Sequence, residues 1–261
     1  MEEYAQTEWP NLNVYMNSIT EQYATFNISG PKTRNIIEKV FPEVNFSNEA
    51  FPFMTFQFHE YEDTPIRILR ASFTGEMGYE IYVPSNQALK IWEKIISFGK
   101  EFGLMPYGTE TMHLLRAEKG YIIVGQDTDG SITPLDLGLD WMIGKSKKDF
   151  LGKRSLIRSD TVRKDRKQLV GILPTNKNEK LEEGQHIILD KEIKTPTPML
   201  GHITSCYQSP TLGHNFALAV IKNGQSLIGT KAFASTPELK TIEVEIVEPI
   251  FYDKENTKLA S

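Results

Sequence analysis

The segment Ser72–Glu80 (SFTGEMGYE) holds the densest set of residues that could do chemistry. Its two glycines, three residues apart, allow a tight turn and the close approach of a flat ligand, because glycine adopts backbone conformations that other residues disfavour. The carboxylates of Glu76 and Glu80 flank this turn. A strand after the turn places Glu80 on the same face as Tyr82, from which it could project into a cleft. The alternative is a plain hairpin with both carboxylates in solvent.

A second charged group lies in Arg116–Gly130. Glu118, Asp127 and Asp129 form a loose acidic cluster, but their spacing does not match a calcium-binding EF-hand loop, so we expect no metal site. Arg116 stands near the end of a predicted helix, where a cation interacts favourably with the helix dipole. Its alternative role is a structural salt bridge at the helix end.

Motifs of several other chemistries are missing from the sequence. It contains no GxGxxG dinucleotide fingerprint, no P-loop and no GxSxG nucleophile motif. The five histidines lack the paired spacing of metal ligands. The single cysteine, Cys206, excludes an intrachain disulfide and a thiolate-rich metal site, and we expect it to be a small buried side chain.

The composition is that of a soluble globular protein. The chain has 261 residues, of which 39% are hydrophobic and 24% charged, and its net charge of −5 does not favour nucleic acid or an anionic membrane as a partner. No apolar run approaches the length of a membrane span, and the acidic first residues do not resemble a signal peptide. Together with the single cysteine, these features predict a cytoplasmic protein.

The first part of the chain mixes strands and helices. Its hydrophobic periodicity predicts strands in Val14–Ile28, Phe51–Phe58, Ile66–Phe73 and Tyr79–Val83, and helices in Lys32–Val40, Asn86–Phe102 and Gly108–Lys119. In the second helix, an apolar stripe that we expect to face the core consists of Leu89, Trp92, Ile95, Ile96 and Phe98. A loop-rich stretch, 121–155, follows the third helix.

The charged stretch Arg158–Gln168 is predicted to be a linker, and it places a domain boundary near Arg166. After it, short strand-like runs are separated by Gly, Pro and Asn: Leu169–Leu173, His186–Leu189, His202–Ser205, Phe216–Ile221, Lys231–Ala234 and Thr241–Val247. This spacing predicts a small β-barrel or half-barrel. The fold class is therefore α+β, with a mixed α/β domain at 1–165 and a β-barrel domain at 166–261.

The first residues resemble the end of a structural unit. MEEYAQTEW has the pattern of an amphipathic helix, but it lacks an N-cap residue and is closed by Pro10. We therefore expect the first domain to be cut short at its front. Such a cut would expose apolar surface near Val14–Ile28 and make association with a partner or a second copy plausible.

Five segments together resemble the folate-binding aminomethyltransferase family, that of the glycine cleavage T-protein. They are TEQYATFNISGPK, SFTGEMGYEIYVP, PYGTETMHLLRAEKG, SITPLDLGLDWMIGKSKKDFLGKRSL and GHITSCYQSPTLGHNFALAVI, and they occur in family order across nearly the whole chain. The resemblance implies a folate-binding aminomethyltransferase-like domain followed by a C-terminal β-barrel, with tetrahydrofolate as the bound cofactor.

Within the family, PYGTETMHLLRAEKGYIIVGQDTDG resembles the C-terminal domain of the alpha subunit of sarcosine oxidase. That branch implies partner subunits or domains that carry FAD or FMN and NAD, and transfer of a one-carbon unit from oxidised sarcosine to tetrahydrofolate. The alternatives are a stand-alone tetrahydrofolate-dependent aminomethyl- or methyltransferase and a non-catalytic folate-binding or subunit-interaction module. Iron–sulfur assembly relatives are disfavoured, because the KGCYxGQ motif of that group has no cysteine counterpart here.

The resemblance also implies a set of folate contacts. The family glutamate of GYE corresponds to Glu80, which would accept hydrogen bonds from the pterin ring. Phe73 stands where the family commonly has tyrosine, so it can stack on the pterin but cannot donate a hydroxyl hydrogen bond. Thr74, Tyr79 and Arg116 complete the predicted folate-binding set.

The catalytic residues stay unassigned. An arginine that T-proteins carry four residues before the arginine of LRLEAG is replaced here by Met112. The family aspartate that assists the transfer would precede the GPK segment, yet residues 1–30 contain no aspartate. We therefore expect this chain to hold part of the folate site without the acid/base residue.

Overall fold

The computed structural model describes residues 1–193 and 196–260, with side chains through residue 259. These residues form two compact units. Unit 1 contains Met1–Ser72, Glu76–Pro106 and the last residues from Leu259, and unit 2 contains Phe73–Gly75 and Tyr107–Lys258. This grouping is spatial, and the division into domains at 165/166 stays a prediction.

Unit 1 is a four-stranded antiparallel sheet with helices. In chain order its elements are α1 (Glu2–Thr7), β1 (Tyr23–Ser29), α2 (Thr33–Val40), β2 (Phe56–Tyr61), β3 (Thr64–Leu69), β4 (Gly78–Pro84) and α3 (Ala88–Gly99). The strands are hydrogen-bonded in the order β1-β4-β3-β2, so β4 lies inside the sheet. The predicted strands are present with shifted ends. β2 begins five residues later than expected, and the stretch from Val14 to Ile19 has no strand.

Alternation along β4 separates a core face from an open face of the sheet. Tyr79, Ile81 and Val83 are fully buried, whereas Glu80 and Tyr82 are half-buried. Side chains two residues apart lie on the same face of a strand. The core side is covered by apolar residues of α2 and α3, and the other face carries the polar side chains of β4.

The prediction for the core-facing stripe of α3 is wrong at three of its five positions. Leu89 is 69% exposed, and Trp92 and Phe98 are 40% exposed. The buried positions are Ile91, Ile95 and Gly99, spaced four residues apart along one side of the helix. Gly99 has no room for a side chain, because a Cβ atom there would lie 2.3 Å from Leu104. The close packing of Gly99 against Leu104 is a tertiary contact of the buried side of α3, and the hydrophobic pattern of the helix does not show it.

The first helix of unit 2 is α4 (Thr109–Glu118), and Gly120 follows its C-cap residue, Lys119, as predicted for the end of this helix. Gly120 has φ +73°, and a Cβ atom there would lie 2.5 Å from the carbonyl oxygen of Pro249. Glycine is therefore required both by the left-handed backbone and by the close approach of the later chain. The stretch 121–157 contains turns and short 3₁₀ segments, which agrees with the loop-rich prediction.

The remainder of unit 2 is a closed six-stranded barrel. Its strands are β5 (Lys167–Pro174), β6 (His186–Ile188), β7 (Gly201–Ser209), β8 (His214–Lys222), β9 (Lys231–Ser235) and β10 (Thr241–Val247), and a short helix, α5 (Thr257–Ala260), follows them. The strand order is β10-β5-β8-β7-β6-β9, antiparallel throughout. All six predicted strands and the barrel are confirmed.

The charged stretch Arg158–Gln168 is not simply a solvated linker. Arg166 is buried and donates hydrogen bonds of 2.8 and 2.7 Å to the carboxylate of Asp136, which is also buried. Burial raises the pKa of Asp136, but hydrogen bonds from Arg166 and Thr133 outweigh that effect and hold it below its usual value. Arg166 thus anchors the stretch to Asp136, a role that charge patterning does not predict.

The residues before β1 expose apolar side chains, as expected from the sequence. Tyr15 is 95% exposed, and Val14 and Ile19 are also exposed. Within residues 1–193 and 196–260, no helix combines the length and the apolar character needed to cross a membrane.

Candidate functional site

The candidate site is centred on Glu80, on the open face of the unit 1 sheet. Glu80 is paired with Asn27 of β1 on one side and with Leu69 of β3 on the other. Directly paired residues of neighbouring strands point to the same face. The carboxylate therefore rises from an inner strand that has a partner on both sides, which gives it a rigid base.

Tyr82 holds the Glu80 carboxylate. Its hydroxyl donates a hydrogen bond of 2.5 Å to Oε2 of Glu80, from two residues further along the same face. Burial, together with this hydrogen bond and the charge of Glu80, raises the pKa of Tyr82 to about 12. Tyr82 is consequently a protonated donor at neutral pH. Among the described residues, Tyr82 is the one side chain that donates a hydrogen bond to Glu80, and Oε1 of Glu80 accepts none.

Aromatic rings and one cation surround the pair. Arg67 is paired with Tyr82 across β3 and β4, and its guanidinium lies 4.5 Å from the ring centroid of Tyr23 and 5.6 Å from that of Phe58. The ring of Phe56 lies 6.2 Å from that of Tyr82. This face combines an anionic acceptor with flat apolar surfaces. It is suited to a planar ligand that carries hydrogen-bond donors.

Tyr79, a predicted folate contact, lies on the opposite face of β4. Its side chain is fully buried in the core of unit 1, where its ring meets those of Phe46 and Phe51 edge to face, at 5.4 and 5.7 Å. Arg70 lies 6.0 Å from the same ring. The alternation of β4 thus directs Tyr79 away from Glu80, and its contact with folate stays a prediction.

Phe73 and Thr74 belong to unit 2. Phe73 stacks on Tyr121, with ring centroids 6.1 Å apart and planes inclined by 24°. Burial, aided by the charge of Asp253, raises the pKa of Tyr121. Thr74 is buried. The predicted folate contacts are thus divided between the two units. No sequence pattern indicates that Tyr121 lies beside Phe73, because the two residues are 48 positions apart.

Arg116, also in unit 2, is fully buried, and both terminal nitrogens of its guanidinium are occupied, whereas its Nε has no hydrogen-bond partner among the described residues. One terminal nitrogen, Nη1, donates to Asp127 and to the carbonyl oxygen of Tyr121, and the other, Nη2, donates to the hydroxyls of Ser205 and Tyr207. Both members of the Arg116–Asp127 ion pair have no exposed side-chain surface. The structure thus shows the salt bridge that the sequence offered as the alternative, and the contact of Arg116 with folate stays a prediction.

A β-bulge in β7 completes this buried network. The register of β7 against β8 shifts between Ile203 and Ser205, so that one extra residue, Thr204, is inserted. The hydroxyls of Thr204 and Ser205 both donate to Oδ1 of Asp127, each over 2.6 Å. Both carboxylate oxygens of Asp127 therefore accept hydrogen bonds within a structural network, and sequence reasoning, which placed Asp127 in an acidic cluster, missed this role.

Glu118 is a buried carboxylate whose pKa is raised by its surroundings. It lies in the last turn of α4 and accepts a hydrogen bond of 2.5 Å from Ser209, but burial outweighs this contact and raises the pKa of Glu118. The folded state therefore holds a proton that the unfolded state releases, and stability falls as pH rises above the unfolded value of about 4.5.

We expect Glu118→Gln to be more stable than the wild type at pH 8 and to have a smaller advantage at pH 5. Glutamine keeps an oxygen to accept the bond from Ser209 without placing a charge in the interior. Thermal unfolding of both proteins at the two pH values measures the difference. Glu43→Gln, at an exposed position, is the matched control and should show no such pH-dependent gain. An equal or lower melting temperature for Glu118→Gln at pH 8 would contradict this account.

The possible metal ligands and the single cysteine are the remaining candidates from the sequence. Within residues 1–193 and 196–260, no three His, Cys, Asp or Glu side chains are grouped so as to hold a metal ion. Cys206 is half-buried and donates to the carbonyl of Leu181, and burial raises its thiol pKa to about 11.

A mainly apolar cavity of about 680 Å³ lies in the loop-rich stretch of unit 2, where Asp129 and Lys147 are its charged residues.

Comparison with known proteins agrees with this architecture. A family model described as the GCVT N-terminal domain matches residues 1–147, and one described as the glycine cleavage T-protein C-terminal barrel domain matches residues 167–253. The chain belongs to the glycine cleavage T-protein family. The T-protein fold is also found in a crystal structure of the glycine cleavage system aminomethyltransferase T from Bartonella henselae. That structure superposes with a TM-score of 0.76 over 97% of this chain and 66% of the other, at 22% identity.

Two kinds of curated T-protein relative are similar to the chain. Sarcosine oxidase subunit alpha of Corynebacterium sp. (strain P-1) is 46% identical over 99% of this chain, and that of Rhizobium meliloti (strain 1021) is 35% identical over 98%. The chain spans only 27% and 26% of their lengths. Aminomethyltransferase of Thermoanaerobacter pseudethanolicus is 30% identical over 94% of this chain and 64% of its own length.

Proposed function

We propose that this chain is the tetrahydrofolate-binding part of a protein like the sarcosine oxidase alpha subunit. There, tetrahydrofolate takes up the one-carbon unit of oxidised sarcosine, which yields glycine and 5,10-methylenetetrahydrofolate. The observation that carries the proposal is the Glu80 carboxylate, which stands on the open sheet face with one oxygen held and the other available. The 46% identity to a sarcosine oxidase subunit alpha supports the choice of branch.

The chemistry of Glu80 fits a pterin ring. The edge of a pterin presents adjacent N–H donors, and a carboxylate that accepts them forms charge-assisted hydrogen bonds that also fix the orientation of the ring. Phe73 offers an aromatic face without a hydroxyl. Thr74, Tyr79 and Arg116 are buried, and their predicted contacts with folate remain part of the proposal.

Tetrahydrofolate supplies the nitrogen atoms that accept the one-carbon unit. The contribution of this chain is to bind and orient the pterin through Glu80, and no residue of the chain is assigned as the acid or base. We further propose that FAD or FMN and NAD are held by other subunits or domains, and that the whole protein works in the cytoplasm. The subunit names of the relatives support a multi-subunit assembly.

A second candidate is a stand-alone tetrahydrofolate-dependent aminomethyl- or methyltransferase. It is favoured by the similarity to an aminomethyltransferase, which the chain matches over a larger share of that protein's length, 64%. A non-catalytic folate-binding or subunit-interaction module is the third. The reading frame upstream of Met1 separates them: an encoded dinucleotide-binding domain supports the first function, and a stand-alone gene supports the others.

Titration calorimetry of the purified chain tests folate binding. We expect tetrahydrofolate to bind saturably with a stoichiometry of one, and p-aminobenzoylglutamate, which lacks the pterin, to bind much more weakly. A chain that shows no saturable binding of tetrahydrofolate, or that binds both compounds equally, would refute the proposed function. A longer chain extended upstream, measured in parallel, tests whether turnover needs residues outside this sequence.

A further inference from the structure

We propose that Tyr82 is a positioning residue of the folate site: it fixes the Glu80 carboxylate in the orientation that receives the pterin and thereby sets folate affinity. This inference rests on the proposed function and names a residue that the family resemblance did not indicate. It arises from the pairing of the two side chains along β4, which lies between β1 and β3.

The geometry of the strand makes Tyr82 suited to this role. Residues i and i+2 of a strand are about 6.5–7 Å apart on one face, and the phenol spans that distance to reach Oε2 of Glu80 at 2.5 Å. A glutamate side chain has three rotatable bonds, and ordering it on ligand binding has an entropic cost. Because Tyr82 has already restricted the carboxylate, less of this cost remains when the ligand binds.

The surroundings fix Tyr82 in turn. Its ring is half-buried, has Phe56 at 6.2 Å and is paired in register with Thr25 of β1 and Arg67 of β3. Arg67 is the charged side chain next to Tyr82 on this face, and its guanidinium is placed over the rings of Tyr23 and Phe58. The phenol, rather than an arginine, is therefore the group that holds Glu80.

The hydrogen bond from Tyr82 also leaves the other oxygen of the Glu80 carboxylate as the acceptor for a ligand. Tyr82 occupies Oε2, so Oε1 is presented to the open face. A neutral phenol that donates to a carboxylate leaves its negative charge uncancelled, whereas an arginine partner would neutralise it. Glu80 can thus keep its negative charge for the N–H donors of the pterin.

A double-mutant cycle on the full chain tests the inference, with tetrahydrofolate affinity as the measurement. Tyr82 acts on affinity through the ordering of the Glu80 side chain, and such a cost corresponds to roughly a two- to tenfold change, so Tyr82→Phe should weaken binding to that extent. In the Glu80→Ala background, where no side chain remains for Tyr82 to hold, the same substitution should change affinity by less than twofold. Tyr15→Phe removes a phenol from a side chain of unit 1 that is 95% exposed and lies outside the sheet, and it is the control, which should bind as the wild type does.

The comparison of the two backgrounds gives a readout that a merely structural role would not move. A structural defect caused by Tyr82→Phe would weaken binding equally with and without the Glu80 carboxylate, whereas a loss of positioning weakens it only where that carboxylate is present. Urea unfolding checks that the variants are folded.

The outcomes separate the two proposals. Glu80→Gln with unchanged affinity would refute the proposed folate contact itself. Weakened binding in Glu80→Gln but wild-type affinity in Tyr82→Phe would refute the positioning role alone. An effect of Tyr82→Phe that persists in full without Glu80 would show that Tyr82 acts by another route, and would also refute it.

Discussion

Replacing Arg116 with methionine is expected to lower the free energy of unfolding by about 3–5 kcal/mol, because the substitution leaves the Asp127 carboxylate buried without its cation. Neither side chain of the pair has exposed surface. Methionine fills much of the volume of the arginine stem, so the loss reports mainly on the charge and on the hydroxyls of Ser205 and Tyr207. Urea unfolding of the two proteins measures the difference.

Two further variants serve as controls for the effect of Arg116→Met on stability. Arg163→Met removes a cation from an exposed pair with Asp160, whose side chains are 55% and 67% exposed, and should cost at most about 1 kcal/mol. Adding Asp127→Asn to Arg116→Met removes the stranded charge and should recover part of the loss. A loss below about 1 kcal/mol in Arg116→Met, equal to that of the exposed pair, would contradict the account of this network.

The strands of the barrel could be predicted because each is a short apolar run bounded by Gly, Pro or Asn. The six strands from Lys167 to Val247 follow that pattern closely. The rotation of α3 could not be predicted in the same way. Its surface has apolar residues on more than one side, and the close contact of Gly99 with Leu104 on the buried side is a tertiary feature.

The candidate site shows the same division between local and long-range information. The alternation of a strand correctly placed Glu80 and Tyr82 on one face, because that property depends only on neighbouring residues. The partners of Arg116 could not be read from the sequence, since Ser205 lies 89 positions away and reaches it through a bulge in β7. Family resemblance named Arg116 as a residue of interest, but only the structure shows which atoms it meets.

The second large effect is expected at Glu80, where substitution with glutamine should weaken tetrahydrofolate binding about ten- to a hundredfold. Glutamine has nearly the same shape, but it replaces a charged acceptor with a neutral amide, and a hydrogen bond to a charged group is worth about 1.5–3 kcal/mol. One of the two positions also becomes an NH₂ group, which cannot accept a bond from the pterin edge. The half-buried position of Glu80 limits how far water can replace the lost contact.

Titration calorimetry on the wild type and Glu80→Gln measures this change, with Glu60→Gln as the control. Glu60 lies on edge strand β2 and is exposed, so its substitution should leave affinity within twofold of the wild type. The free energy of unfolding should be nearly unchanged in both variants, because Glu80 forms no ion pair among the described residues, and its hydrogen bond from Tyr82 can be accepted by the glutamine oxygen. Equal affinity for Glu80→Gln and the wild type would place the folate contact elsewhere. A loss of affinity in Glu60→Gln as large as that in Glu80→Gln would show that the site responds to the total charge of the sheet rather than to one carboxylate.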